Sequence, residues 1–332
     1  MRRTREGRRD EGERRNRESE VHHLPFIPYP SSLIQVRIGK TDFQNPILLA
    51  SGTFGFGFEF PDVVRQMGGI VSKGITLAPR SGNPPPRIWE VPGGIVNSVG
   101  LENPGAEGFA TKIARRMRFG PARVLVNVAG FTPEEYAEII SRVDGETITG
   151  FELNVSCPNV KRGGAAFGQD PRMVARIVRH ARKRTAKLLI TKLTANFVDP
   201  ALAAKAAAGE GSDAVSLINT VNALVTDGRT GKAVLGGVTG GLSGPAIKPV
   251  ALYCVHHVAQ RVRIPVIGGG GIVTAEDAVQ FLMAGAVMVQ IGSVNLVNPY
   301  AGLGILQGLE DYCRKNRRRK GTRCGIVSPF PE

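Results

Sequence analysis

No stretch of the 332 residues approaches the roughly 20 consecutive apolar positions that a membrane-spanning helix requires, which excludes a membrane span. The first 20 residues carry eight Arg and six acids but almost nothing apolar, so they lack the hydrophobic segment of a secretory signal. Residues 1–30 are expected to form a disordered N-terminal extension, and the chain is expected to be cytoplasmic. Cysteine is scarce. Cys157, Cys254, Cys313 and Cys324 form no CxxC pair and no pattern with nearby histidines, which argues against a zinc site or a disulfide framework. The same scarcity leaves no ligand cluster for an iron–sulfur centre, and no second dinucleotide fold follows the main run of elements.

Acids are also in short supply, with 28 against 43 bases, a formal charge of +15. Where that excess sits decides what it means. The first 20 residues net only +2, whereas 314–323 hold seven bases and no acid. Much of the remainder falls on helix faces such as 172–187, where solvated charge is the ordinary explanation. No nucleic-acid role is expected from this distribution. The predicted organisation is one domain over 31–313 followed by a basic tail over 314–332.

What is present is a regular alternation. Short β-branched runs at 47–51, 69–74, 123–128, 150–155, 188–193, 213–219, 264–268 and 286–292 are each followed by an amphipathic helix pattern. Helices are predicted over 133–143, 171–184 and 275–284, opened by the capping residues Thr132, Asp170 and Thr274. Eight strand–helix pairs point to a closed (β/α)8 TIM barrel. Two connections, 77–104 and 220–245, are longer than such a barrel needs. Both are rich in Gly and Pro and follow strand ends, where barrel enzymes carry extended active-site loops.

The strand tips converge on one mouth in this fold. They read Ser51-Gly52, Lys73-Gly74, Asn127, Asn154 to Cys157, Lys192, Asn219-Thr220, Gly268 to Gly271 and Gly292-Ser293. The glycine turns after strands seven and eight suit a phosphate held by backbone amides at helix N-termini. Lys192 could stabilise the negative charge that a flavin gains near N1 and O2 on reduction, and Lys73 could serve both a flavin and a substrate carboxylate. Cys157 precedes a proline that turns the chain into a loop, and a thiol near positive charge can supply a thiolate base.

These motifs resemble those of the dihydroorotate dehydrogenases: ASGTFGFG from Ala50, KG at Lys73, NSVGLEN from Asn97, NVSCPNVK from Asn154, KL at Lys192, INT from Ile218 and GGLSGPAIKP from Gly240, with the two glycine turns. The resemblance runs from about Asn45 to Pro299. Cysteine at the base position resembles the soluble class 1, and NVK followed by GG, with GNPPPR from Gly82, resembles its NAD-linked 1B catalytic subunit. The resemblance implies FMN held by Ser51, Lys73, Gly74, Asn127, Asn154, Lys192, Ile218, Gly244, Gly270, Gly271, Gly292 and Ser293. It implies a dihydroorotate/orotate site at Lys73, Asn97, Ser98, Val99, Gly100, Leu101, Asn154, Asn219 and Thr220. Cys157 matches the base that takes the C5 proton while the C6 hydride goes to flavin N5. Also implied are a homodimer and a separate FAD/iron–sulfur subunit passing electrons to NAD⁺.

The departures are TAN in place of the usual SPN after Leu193, and Glu102 where an amide is common. Fumarate-linked dihydroorotate oxidation and reduction of free pyrimidines, as in dihydropyrimidine dehydrogenase, are the alternatives. A tRNA-dihydrouridine synthase shares the flavin barrel and the cysteine, but NVSCP and GGLSGPA fit it poorly.

Overall fold

The computed structural model describes residues 34–155 and 167–320, and side chains over the same range except Phe167 and 317–320. Cys157 and Cys324 therefore lie outside the described residues, as does the N-terminal extension.

The described chain opens with a hairpin of β1 (Val36–Ile38) and β2 (Thr41–Phe43) and then enters the barrel at β3 (Ile47–Leu49) and β4 (Gly69–Val71). Two strands outside the barrel follow, β5 (Ile88–Val91) and β6 (Gly94–Asn97), before β7 (Arg123–Val128), β8 (Gly150–Asn154), β9 (Leu188–Lys192) and β10 (Ala214–Leu217) continue it. A second excursion contributes β11 (Val221–Leu224) and β12 (Thr239–Ser243), and β13 (Val266–Gly269) and β14 (Met288–Ile291) complete the ring. Eight parallel strands close in the order β3-β4-β7-β8-β9-β10-β13-β14, with β14 pairing back to β3. This is the (β/α)8 barrel expected from the alternation.

Two-residue periodicity sorts each strand's side chains between two cores. In β7, Val124, Val126 and Val128 face the helices, while Leu125 packs inside the barrel with Leu48, Val71, Ile190, Ile267 and Met288. Ile38 and Phe43 of the hairpin belong to that inner cluster, so the hairpin plugs one end of the ring. In β8, Phe151 and Leu153 face outward by the same rule, which leaves Glu152 and Asn154 facing in.

The predicted helix starts hold. Thr132 Oγ1 accepts from Glu135 N at 3.2 Å, opening helix Pro133–Val143, and Asp170 Oδ1 accepts from Arg172 N at 2.9 Å, opening Pro171–Arg182. Thr274 and Asp277 form a reciprocal capping box on helix Ala275–Met283.

The two long connections are not irregular loops. They pair with each other into an antiparallel sheet ordered β11-β12-β6-β5, joined where β12 meets β6. Glycine permits the close approach: a Cβ on Gly240 of β12 would lie 2.6 Å from Asn97 O of β6. The last helix runs Ala301–Lys320, so the basic segment expected to form a tail begins on a helix. Arg314 there pairs with Glu310 at 2.9 Å and Asp311 at 3.0 Å. Cys254 is free and buried, its thiol pushed up to about 11 by burial and then by Asp199, which makes it a core residue and no nucleophile. Cys313 is disulfide-bonded, where the spacing pattern suggested no bridge.

Candidate active site

A cavity of about 960 Å³ opens at the C-terminal ends of the barrel strands, beneath the four-stranded sheet. That volume is at the upper end for a ligand pocket and gives room for a nucleotide-sized cofactor together with a small substrate. Every flavin position named from the sequence lines it. Ser51 follows β3, Lys73 and Gly74 follow β4, Asn127 and Asn154 lie on β7 and β8, and Lys192 ends β9. Ile218 follows β10, Gly244 follows β12, Gly270 and Gly271 follow β13, and Gly292 and Ser293 follow β14. The substrate positions join them: Asn97, Ser98, Val99, Gly100 and Leu101 from the first excursion, and Asn219 and Thr220 from the second. Of the sequence-derived positions only Cys157 lies outside the described residues.

The wall facing the first excursion is charged. Glu102, whose orientation sequence could not give, lines the cavity; Arg87 binds its carboxylate at 2.7 Å and Lys73 Nζ lies 3.8 Å from it. Further round, Asn219 Nδ2 donates to Asn154 Oδ1 at 3.3 Å, which sets two amides side by side. Asn196, in the divergent TAN segment, donates to Thr220 O at 3.0 Å and accepts from Asn222 N at 3.0 Å, tying β11 to the end of β9.

The floor holds a buried polar cluster that the sequence reading missed. Glu152 is fully buried, and its Oε1 accepts from Asn127 Nδ2 at 2.8 Å with Lys192 Nζ at 3.6 Å. Its Oε2 accepts from Ser216 Oγ at 2.9 Å and from Gln290 Nε2 at 2.5 Å. Gln290 Oε1 in turn accepts from Lys192 Nζ at 3.3 Å. One signal was available: Glu152 stands two residues before Asn154, on the same inward face of an otherwise apolar strand.

At the opposite side two glycine turns meet. A Cβ on Gly271, whose φ is +77°, would lie 2.8 Å from Gly244 O, so this residue is demanded by the protein's own packing. Gly292 differs. Its Cβ would meet nothing closer than Ala50 Cβ at 3.7 Å, so neither packing nor backbone conformation accounts for a glycine there, and its place on the cavity wall keeps the backbone accessible to a ligand. Asn127 Oδ1 is buried without a hydrogen-bond partner among the described residues, at the edge of the same cavity. Buried acceptors are normally satisfied, so this one fits a donor on a bound molecule. An orphaned acceptor, a lysine at the floor and an open glycine on the wall together suit the polar ring edge and the phosphate of a flavin nucleotide.

A family model described as dihydroorotate dehydrogenase matches residues 33–312. The chain belongs to the dihydroorotate dehydrogenase family. Its members are flavin-dependent. The chain is 47% identical over 282 residues to the dihydroorotate dehydrogenase B (NAD(+)) catalytic subunit of Trichlorobacter lovleyi, covering 84% of this chain and 93% of that one. The subunit of the same name from Desulforudis audaxviator is 48% identical over 280 residues, covering 83% and 91%. Among solved structures, DHODH from Eimeria tenella in complex with ferulenol superposes with a TM-score of 0.74 at 22% identity, covering 91% of each chain, and shares the fold. Dihydroorotate dehydrogenase membership thus agrees with the motif reading and with its NAD-linked class. Among the described residues no helix is long and apolar enough to cross a membrane, and no group of His, Cys, Asp and Glu is placed to hold a metal.

Proposed function

We propose that this chain oxidises (S)-dihydroorotate to orotate in de novo pyrimidine biosynthesis, as the FMN-binding catalytic subunit of an NAD-linked, cytoplasmic enzyme. The observation that carries the reading is that residues drawn from all eight strand ends and both excursions, each named from family motifs, line a single cavity. FMN, when bound, supplies the acceptor for the C6 hydride. Lys192 and Asn127 would hold its ring edge from the floor, and the Gly270-Gly271 and Gly292-Ser293 turns would hold its phosphate. Asn97, Asn154 and Asn219 offer amides to the carbonyl and N–H edge of the pyrimidine, while Lys73 receives its carboxylate. Cys157, which follows the inward-facing Asn154 by three residues, takes the C5 proton.

Electrons then leave through a second protein. The relatives are named as catalytic subunits, which supports a partner; in this reading the partner carries FAD and an iron–sulfur centre. A homodimer of this chain forms the core of that assembly.

The deciding experiment measures dihydroorotate oxidation by the isolated, FMN-loaded chain with different acceptors. Artificial dyes are expected to work, fumarate to be poor, and NAD⁺ to fail until the partner is added. Rapid fumarate reduction would overturn the NAD-linked assignment. Released cofactor that proved to be FAD, or an inability to take up any flavin, would sink the reading of the cavity.

A further inference from the structure

A fully buried carboxylate is retained only where donors surround it, and Glu152 has four polar neighbours from four different strands. Asn127 stands opposite Glu152 in the β7–β8 register, Lys192 comes from β9 on the other side, and Ser216 stands opposite Lys192 in the β9–β10 register. The fourth comes from across the ring. β14 lies four places from β8 in the eight-strand order, so the Gln290–Glu152 hydrogen bond of 2.5 Å spans the barrel interior. Glu152 and Ser216 do not reach the cavity, but Asn127, Lys192 and Gln290 do.

We infer that Glu152 is a positioning residue: from beneath the floor its carboxylate fixes which way the Asn127 and Gln290 amides face and compensates the Lys192 ammonium presented to the bound cofactor. An ionised carboxylate only accepts hydrogen bonds, so the NH₂ ends of both amides must face it. The oxygen of Gln290 is thereby turned to Lys192 Nζ, and the oxygen of Asn127 is left as the unpartnered acceptor. Glutamine at 152 would bring its own donors into this arrangement and remove the anion beside Lys192. The floor would then be more positive, which favours a bound group that gains negative charge on reduction.

The inference rests on assigning the cavity to a flavin. Its test compares the midpoint potential of bound flavin in wild-type and Glu152→Gln holoenzyme, together with FMN affinity of the stripped proteins. Glu152→Gln is expected to shift the potential positive, equivalent to about tenfold tighter holding of reduced relative to oxidised flavin, as an uncompensated charge at this range would give. Adding Lys192→Met is expected to abolish that shift, which a merely structural role would not do. An unchanged potential in a folded, flavin-loaded Glu152→Gln protein overturns the inference and leaves the cavity assignment standing. A wild-type protein that takes up no flavin ends both. Where the single variant folds poorly, the Glu152→Gln/Lys192→Met double variant removes both charges and is expected to recover the melting temperature; a double variant no more stable than the single overturns the pairing.

Discussion

Glu102 places a negative charge on the wall of a site proposed for an anionic substrate, next to Lys73 and clamped by Arg87. Because the carboxylate is half exposed, its repulsion is screened by salt. Glu102→Gln is expected to lower KM for dihydroorotate roughly two- to fivefold at low ionic strength, with kcat nearly constant and the effect fading as salt is added. A KM that rises, or one indifferent to salt, would count against a substrate carboxylate at Lys73. Cys157→Ala is expected to leave FMN bound while slowing flavin reduction by dihydroorotate roughly 10²-fold or more, the scale of losing a general base. Serine there should retain part of the rate, displaced to higher pH because its hydroxyl is harder to ionise. Stopped-flow bleaching of the flavin reads both, and near-normal reduction by the alanine variant would assign the proton to another group. Lysines, asparagines and glycines at strand ends were legible in the sequence because each is out of character at the tip of an apolar strand. Glu152 offered only its register with Asn154, since its partners Ser216 and Gln290 come from strands 64 and 138 residues away.

Between residues and fold stands the junction after β13, where Asp277 acts as cap and clamp. Its Oδ2 accepts from Val273 N at 3.0 Å and Thr274 N at 2.9 Å, and Lys248 binds its Oδ1 at 2.5 Å. Burial alone would raise this carboxyl, but the Lys248 bond and the amides outweigh it and hold it below the ordinary aspartate range. A depressed carboxyl stabilises the fold above its unfolded titration and ceases to do so as pH falls through its lower, folded one. Asp277→Asn should therefore cost about 1–3 kcal/mol at neutral pH. In urea titrations the gap to wild type should close only in acid below the usual carboxylate range; a gap that widened there would reverse the assignment. Because the same bonds fix the turn after Gly271, FMN affinity should weaken in parallel. The eight barrel strands were readable from hydrophobic runs alternating with capped helices. The sheet over the mouth was not, because strands such as β12, with sequence TGGLS, show no alternation and gain their conformation from pairing with distant β6. The β1–β2 hairpin, three residues a side, is too short to carry a pattern.

At the scale of the whole molecule, helix Ala301–Lys320 closes the ring of helices by burying Leu303, Ile305, Leu306 and Leu309. Leu309→Ala is expected to cost about 2–5 kcal/mol, whereas deletion from Arg317 onward should alter solubility or surface association more than turnover. Thermal melts and dye-linked assays separate the two, and loss of flavin on the shorter deletion would make the basic segment structural. The sheet over the mouth also sets a schedule for synthesis. Asn97 on β6 and Gly241 on β12, hydrogen-bonded partners, lie 144 residues apart in the chain. At the ribosome's pace of about 5–20 residues per second, the β5–β6 ribbon emerges roughly seven to thirty seconds before the strand that covers it. Throughout that interval it presents a bare edge to every neighbouring nascent chain. The roof over the cavity is therefore open to cross-pairing while the polypeptide is still being made.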